Sequence, residues 1–141
     1  MKTKFTPIVK FKKSELDKCE ERVQNLMREL YNRENQLRVG YELLMQISQP
    51  TSGTIGEYQS TKLLLHRQRE IIVDLSQKVD DHKNQLEVAK KEQKLAYIEF
   101  EKYKYLESEE VKKMLKEIQI KEAKDLDEVA LQSFMNKRLS Q

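Results

Sequence analysis

Residues that interrupt a helix are scarce in this chain, and most of them sit in one place. The stretch SQPTSGTIG, Ser48 to Gly56, holds one of the two prolines and two of the three glycines, and such a cluster marks a turn. The other proline, Pro7, follows Thr6, and a threonine N-cap with proline at the first helical position opens a helix. Thr54 and Glu57 stand three apart, the spacing of a capping box. The punctuation therefore predicts a helix over about 6–47, a turn over 48–56 and a second helix over about 57–139. We read residues 1–141 as a single coiled-coil domain.

Apolar spacing says how the two helices meet. Steps of three and four run through Leu16, Cys19, Val23, Leu26, Leu30, Arg33, Leu37, Gly40, Leu44 and Ile47. The same stepping visits Tyr58, Thr61, Leu65, Gln68, Ile72, Leu75, Val79, His82, Leu86 and Ala89. Both are heptad seams, and a short connection makes the helices antiparallel. The fold class is all-α: a long two-helix antiparallel coiled-coil hairpin with an extended C-terminal helix. A tight turn that sets Ile47 against Tyr58 pairs Gly40 with Leu65, Leu30 with Leu75, Leu26 with Val79, Cys19 with Leu86 and His82 with Val23. Continued outward, Val9 meets Ala96 and Phe5 meets Phe100, over a shaft of roughly 65 Å. Arg33 sits in the seam with its head in water, and Cys19 acts as a small core hydrophobe.

Composition supports a thin seam over a thick core. Charged residues make up 36% of the 141, the balance of a long helix or coiled coil. The net charge of +3 does not by itself argue for nucleic acid. One cysteine, Cys19, excludes an internal disulfide and fits a reducing compartment. No apolar run approaches the roughly 18 residues of a membrane span. The lysine-rich start lacks the pattern of a secretion signal, so the expected location is cytoplasmic.

Two features exceed what a hairpin needs. In the tight register the first helix is used up opposite about residue 100, yet Val111, Leu115, Ile118, Leu126, Val129 and Phe134 keep an apolar edge. Some 35 to 40 residues, on the order of 55 Å of helix, then lie past the pairing; the alternative is a frayed tail. Near the turn, Val39, Tyr41, Leu43, Met45, Leu63, Leu64, Ile71 and Val73 lie off the seam. Such surplus apolar surface marks contact sites, although Leu43 and Leu64 fit a widened seam. The candidate contact residues at this tip are Tyr41, Met45, Leu63, Ile71 and Val73.

No catalytic constellation is present in the sequence. It has no Gly-rich phosphate loop, no H-E-x-x-H and no cysteine pair at zinc spacing. Asp80, Asp81 and His82 are adjacent on a helix and point apart. No catalytic residue, metal or cofactor is expected, and the chain reads as a non-enzyme. Lys2, Lys4, Lys10, Lys12 and Lys13 precede the first acid; beside Phe5 and Phe11 they suit an anionic membrane surface, an acidic protein or a solvated helix start. From Glu99 to Glu128 acids outnumber bases ten to seven, which argues against a nucleic-acid arm.

The start KFTPIVKFKKSELDKCEERV, the central turn and the stretch KEAKDLDEVALQSF resemble the flagellar export protein FliJ family over the whole length. The pattern K-x-L-D-E-x-A followed by phenylalanine is held by Lys124, Leu126, Asp127, Glu128, Ala130 and Phe134, while Ser133 stands where the family often carries arginine. The resemblance implies a two-helix stalk similar to the central shaft of rotary ATPases. It implies work with the hexameric flagellar export ATPase, the cytoplasmic domain of the export gate and export chaperones, at the inner face of the cell membrane, in flagellum assembly and motility. The loop end would reach the gate. The terminal end, with Phe5, Leu126, Asp127, Glu128, Ala130 and Phe134, would bind the ATPase. Injectisome stalk proteins look similar. A hairpin chaperone of the prefoldin kind needs a β-hairpin at the bend, which this turn does not offer, and a pure spacer needs no tip patch.

Overall fold

The computed structural model describes residues 1–48 and 50–140; Gln49 of the expected turn, and Gln141, lie outside them. Two helices account for nearly all of it: α1, Thr6–Gln46, and α2, Ile55–Leu139. Among the described residues there is no strand.

The helix starts follow from their caps. At α1 the cap is Thr3 and not the expected Thr6. The Phe5 N–H donates to Thr3 Oγ1 at 3.1 Å, and the Thr3 N–H donates to Thr6 Oγ1 at 2.9 Å. This is half of a capping box, with Thr6 in the place of the usual Glu or Gln, while the Thr3 hydroxyl takes the Phe5 N–H and the Thr6 N–H donates to the Thr3 carbonyl oxygen at 3.2 Å. Pro7 then falls in the first turn, where its missing N–H removes no needed bond. At α2 the Glu57 N–H donates to Thr54 Oγ1 at 3.2 Å, as the spacing predicts. Just before it Gly53 has φ +150°, a backbone conformation that side chains disfavour.

The chain divides into two units, Leu16–Ala96 and Met1–Glu15 with Tyr97–Gln141. In the first, partners descend α2 as they ascend α1. Arg22 meets Glu92 at 3.2 Å, Glu29 meets His82 at 3.3 Å, and Gly40 accepts a bond from Gln68 at 2.9 Å. The helices are therefore antiparallel and form the coiled-coil hairpin. Its buried core is Leu16, Val23, Leu26, Ile72, Val79, Leu86 and Ala89, the last only 1% exposed. Each was on an expected seam. Burying such an aliphatic side chain contributes about 1.5–3 kcal/mol, while the Arg22–Glu92 ion pair beside it is about half in water and worth at most about 1 kcal/mol.

The register differs from the tight-turn expectation. Val23, Leu26, Leu86 and Ala89 form one cluster, with Leu30 packed on it. Leu26 thus meets Leu86 in place of Val79, and Val23 meets Ala89 in place of His82. Gly40 faces Ile72 and Leu75 in place of Leu65. The shift is seven residues, one heptad. A seam that repeats every seven residues keeps its apolar stripe under such a shift, so periodicity alone does not choose between the two. His82 is not opposite Val23: its Nε2 lies beside Glu29, and its Nδ1 is 2.9 Å from the Lys78 carbonyl oxygen.

The other unit is corrected the same way. Lys12 lies 3.8 Å from Glu99, and Lys13 Nζ sits 5.5 Å from the centre of the Phe100 ring. Val9 lines an open groove with Phe100, Lys104 and Val111, so it does not meet Ala96, nor Phe5 Phe100. Partly covered positions on α2 continue to Met114, and every described residue from Leu115 onward is exposed. Pairing thus runs well past Phe100, and the uncovered length is shorter than expected.

Candidate contact surfaces

At the loop end, Tyr41, Met45, Leu63, Ile71 and Val73 are all exposed, Met45 at 86%. They do not form one patch. Tyr41 and Met45 are four apart and share a face of α1. On α2, Ile71 and Val73 are two apart and point to nearly opposite sides. Val73 borders a shallow concavity with His66, Arg69, Glu70 and Asp74, where His66 Nε2 lies 3.0 Å from Glu70. Leu43 and Leu64 do not widen the seam as expected; both are exposed. The shifted register adds Ile55 and Tyr58, exposed at 78% and 42%, because the first turns of α2 extend past the residues that α1 covers. Tyr58 was expected in the seam; only the register decides that it is not.

At the terminal end, Leu126, Asp127, Glu128, Ala130 and Phe134 are exposed, with Leu126 at 69% and Phe134 at 62%. Leu126, Val129 and Ala130 share a face by their spacing. Phe5 stands apart from them: it is half-buried at the start of α1, with Lys4 Nζ 5.3 Å from its ring centre. The single edge expected from Val111 to Phe134 is two, and Phe134 belongs to the second. At 3.6 residues per turn, Val111, Leu115, Ile118, Leu126 and Val129 fall on one side of α2. Ile120, Leu131, Phe134 and Met135 fall on the opposite side, and all four are exposed. The signal for the second edge is the eleven-residue step from Ile120 to Leu131, which a search at heptad spacing passes over.

Lysines crowd the aromatic rings of this unit. Lys12 Nζ lies 5.7 Å from the centre of the Tyr103 ring, and Lys104 Nζ 5.7 Å from that of Phe100, within cation–π range. Lys12 is also shared between Glu15 and Glu99. Arg33 donates to Gln36 at 3.2 Å from a half-covered seam position, and Cys19 is a free thiol, half-buried.

Among the described residues no group of His, Cys, Asp and Glu is placed to hold a metal ion, and no helix is long and apolar enough to cross a membrane. What the sequence and fold define is an all-α coiled-coil hairpin that carries exposed apolar side chains. The chain belongs to the flagellar FliJ protein family, whose model matches residues 1–139. Its role therefore lies in flagellar protein export and motility, in a family of structural export proteins. Comparison with curated proteins and with solved structures found no match.

Proposed function

We propose that this chain acts as one coiled-coil domain, the stalk that links the hexameric flagellar export ATPase to the cytoplasmic domain of the export gate. It also handles export chaperones, and it works at the inner face of the cell membrane through its partners. The observation that carries this reading is the pair of opposite apolar edges on residues 111–135. A helix with apolar side chains on two sides gains most from surroundings that enclose it, and the channel of a hexameric ring encloses a helix on all sides. Leu126, Val129, Ala130 and Phe134 supply the apolar contacts, Asp127 and Glu128 the polar ones, and Phe5, at the start of α1, adds a separate one. At the loop end, Tyr41, Met45, Leu63, Ile71 and Val73 contact the gate. Because Ile71 and Val73 face apart, the gate contact wraps α2 or engages it in more than one orientation. The chain hydrolyses nothing itself; it transmits the state of the ring by contacts. Co-purification with the ATPase and with the gate domain tests the linkage. Capture of both through separate ends supports it, and capture of neither contradicts it.

A further inference from the structure

We infer that the hairpin is a two-position device, in which α1 slides by one heptad along α2. Three observations converge. First, the apolar seam of α2 is longer than the α1 that covers it. It begins at Tyr58, now 42% exposed, a heptad before the first residues that α1 covers, and its partly covered positions, Gln93, Glu107 and Glu110 among them, continue to Met114, whereas α1 has 41 residues. Second, the seam keeps its heptad phase over Leu65, Ile72, Val79 and Leu86, so moving α1 by seven residues returns apolar faces to apolar faces. Leu26 would pass from Leu86 to Val79, and Gly40 from Ile72 to Leu65. Third, the polar contacts that distinguish the present position across the unit Leu16–Ala96 are individually weak. Gln68 Nε2 to the Gly40 carbonyl is one hydrogen bond, Arg22–Glu92 is a half-exposed pair, and Glu29–His82 joins an exposed carboxylate to a largely covered ring. In the other unit the same displacement breaks Lys12–Glu99 and Lys13–Phe100.

The displaced position has gains of its own. It brings Leu44 and Ile47 over Thr61 and Tyr58, covering the ring that is now bare. A heptad is about 10 Å of helix, and the motion brings the end of α1 toward the start of α2. It therefore shortens the span of the connection 47–54 instead of stretching it. Coverage is traded from one end of the seam to the other, so a partner that grips either end biases the same equilibrium. This use of the device rests on the stalk reading above; its existence does not.

The test is disulfide trapping in the full chain with Cys19→Ala. Leu26→Cys with Leu86→Cys reports the present register, and Leu26→Cys with Val79→Cys the displaced one. Leu26→Cys with Asn84→Cys, exposed on the side of α2 away from the seam, is the control. All are oxidised at low protein concentration and scored as intramolecular cross-link by mass spectrometry. The expected result is cross-linking of both seam pairs well above the control. Adding Gln68→Leu should raise the 26–79 yield about fivefold at early times, the weight of one hydrogen bond. A 26–79 yield equal to the control, with or without Gln68→Leu, overturns the inference and leaves the stalk reading standing. If both pairs form but locking either one leaves ATPase stimulation unchanged, the sliding exists and the stalk reading loses it as a mechanism.

Discussion

Gln68 donates a 2.9 Å hydrogen bond across the seam to the carbonyl oxygen of Gly40. A side chain reaches that carbonyl because residue 40 has none. A Cβ placed on Gly40 would come within 3.2 Å of Leu75 Cδ1 and 3.5 Å of Ile72 Cγ1. Gly40→Ala should change stability by less than about 1 kcal/mol, since the gain in helix propensity offsets a small retreat of the flexible Leu75. Gly40→Leu should destabilise by about 1–3 kcal/mol through overpacking. Urea midpoints of the two variants check the contrast.

The stability of the hairpin resides in its buried layers and not in its ion pairs. Val23→Ala and Leu86→Ala each remove part of the central cluster and should cost about 1–4 kcal/mol. Arg22→Ala breaks a pair in which both side chains are about half exposed and should cost under about 1 kcal/mol. Denaturant titrations followed by helical circular dichroism rank the three. A larger cost for Arg22→Ala than for Leu86→Ala would reverse this order and contradict the account.

Contacts with the gate should separate cleanly from folding. Met45 and Leu63 are exposed, so Met45→Ala and Leu63→Ala leave the seam intact. We expect unchanged helicity and midpoint, with binding to the gate domain weakened by about 3- to 30-fold for each, the weight of a side chain newly buried on binding. Isothermal titration with the purified gate domain measures this, and normal binding by both variants would move the gate contact elsewhere.

Much of this was legible in the residues. One cluster of helix breakers fixed the number of helices, and three-and-four spacing found all seven buried apolar residues, Leu16 to Ala89. The register was not legible, because a heptad repeat reads the same after a slip of seven. What breaks the tie is non-periodic: Gly40 opening a carbonyl to Gln68, and His82 meeting Glu29. The N-cap was misplaced for a similar local reason. Thr3 and Thr6 both suit a cap, and only the bond from the Phe5 N–H to the Thr3 hydroxyl shows that Thr3 caps the helix start. Of the contact residues, exposure followed from their places off the seam. Their division among faces, and the second tail edge through Ile120 and Leu131, needed the helix laid out turn by turn.

The two tail edges give a test of enclosure. Leu126 and Phe134 lie on different sides of α2 and are exposed. If a ring surrounds the tail, Leu126→Ala and Phe134→Ala should each weaken binding to the ATPase, Phe134→Ala by up to about 30-fold, the equivalent of about 2 kcal/mol. A one-sided groove would respond to only one of them. Titration of each variant against the ATPase hexamer decides between the two.

The most direct measurement is the rate of ATP hydrolysis by the export ATPase with the full chain and with a chain ending at residue 120. The described residues after Met114 are exposed, so the shortened chain keeps its paired hairpin and should keep its unfolding midpoint. The account predicts that the full chain stimulates hydrolysis and that the shortened one, still folded, does not. Full stimulation by the shortened chain would contradict it.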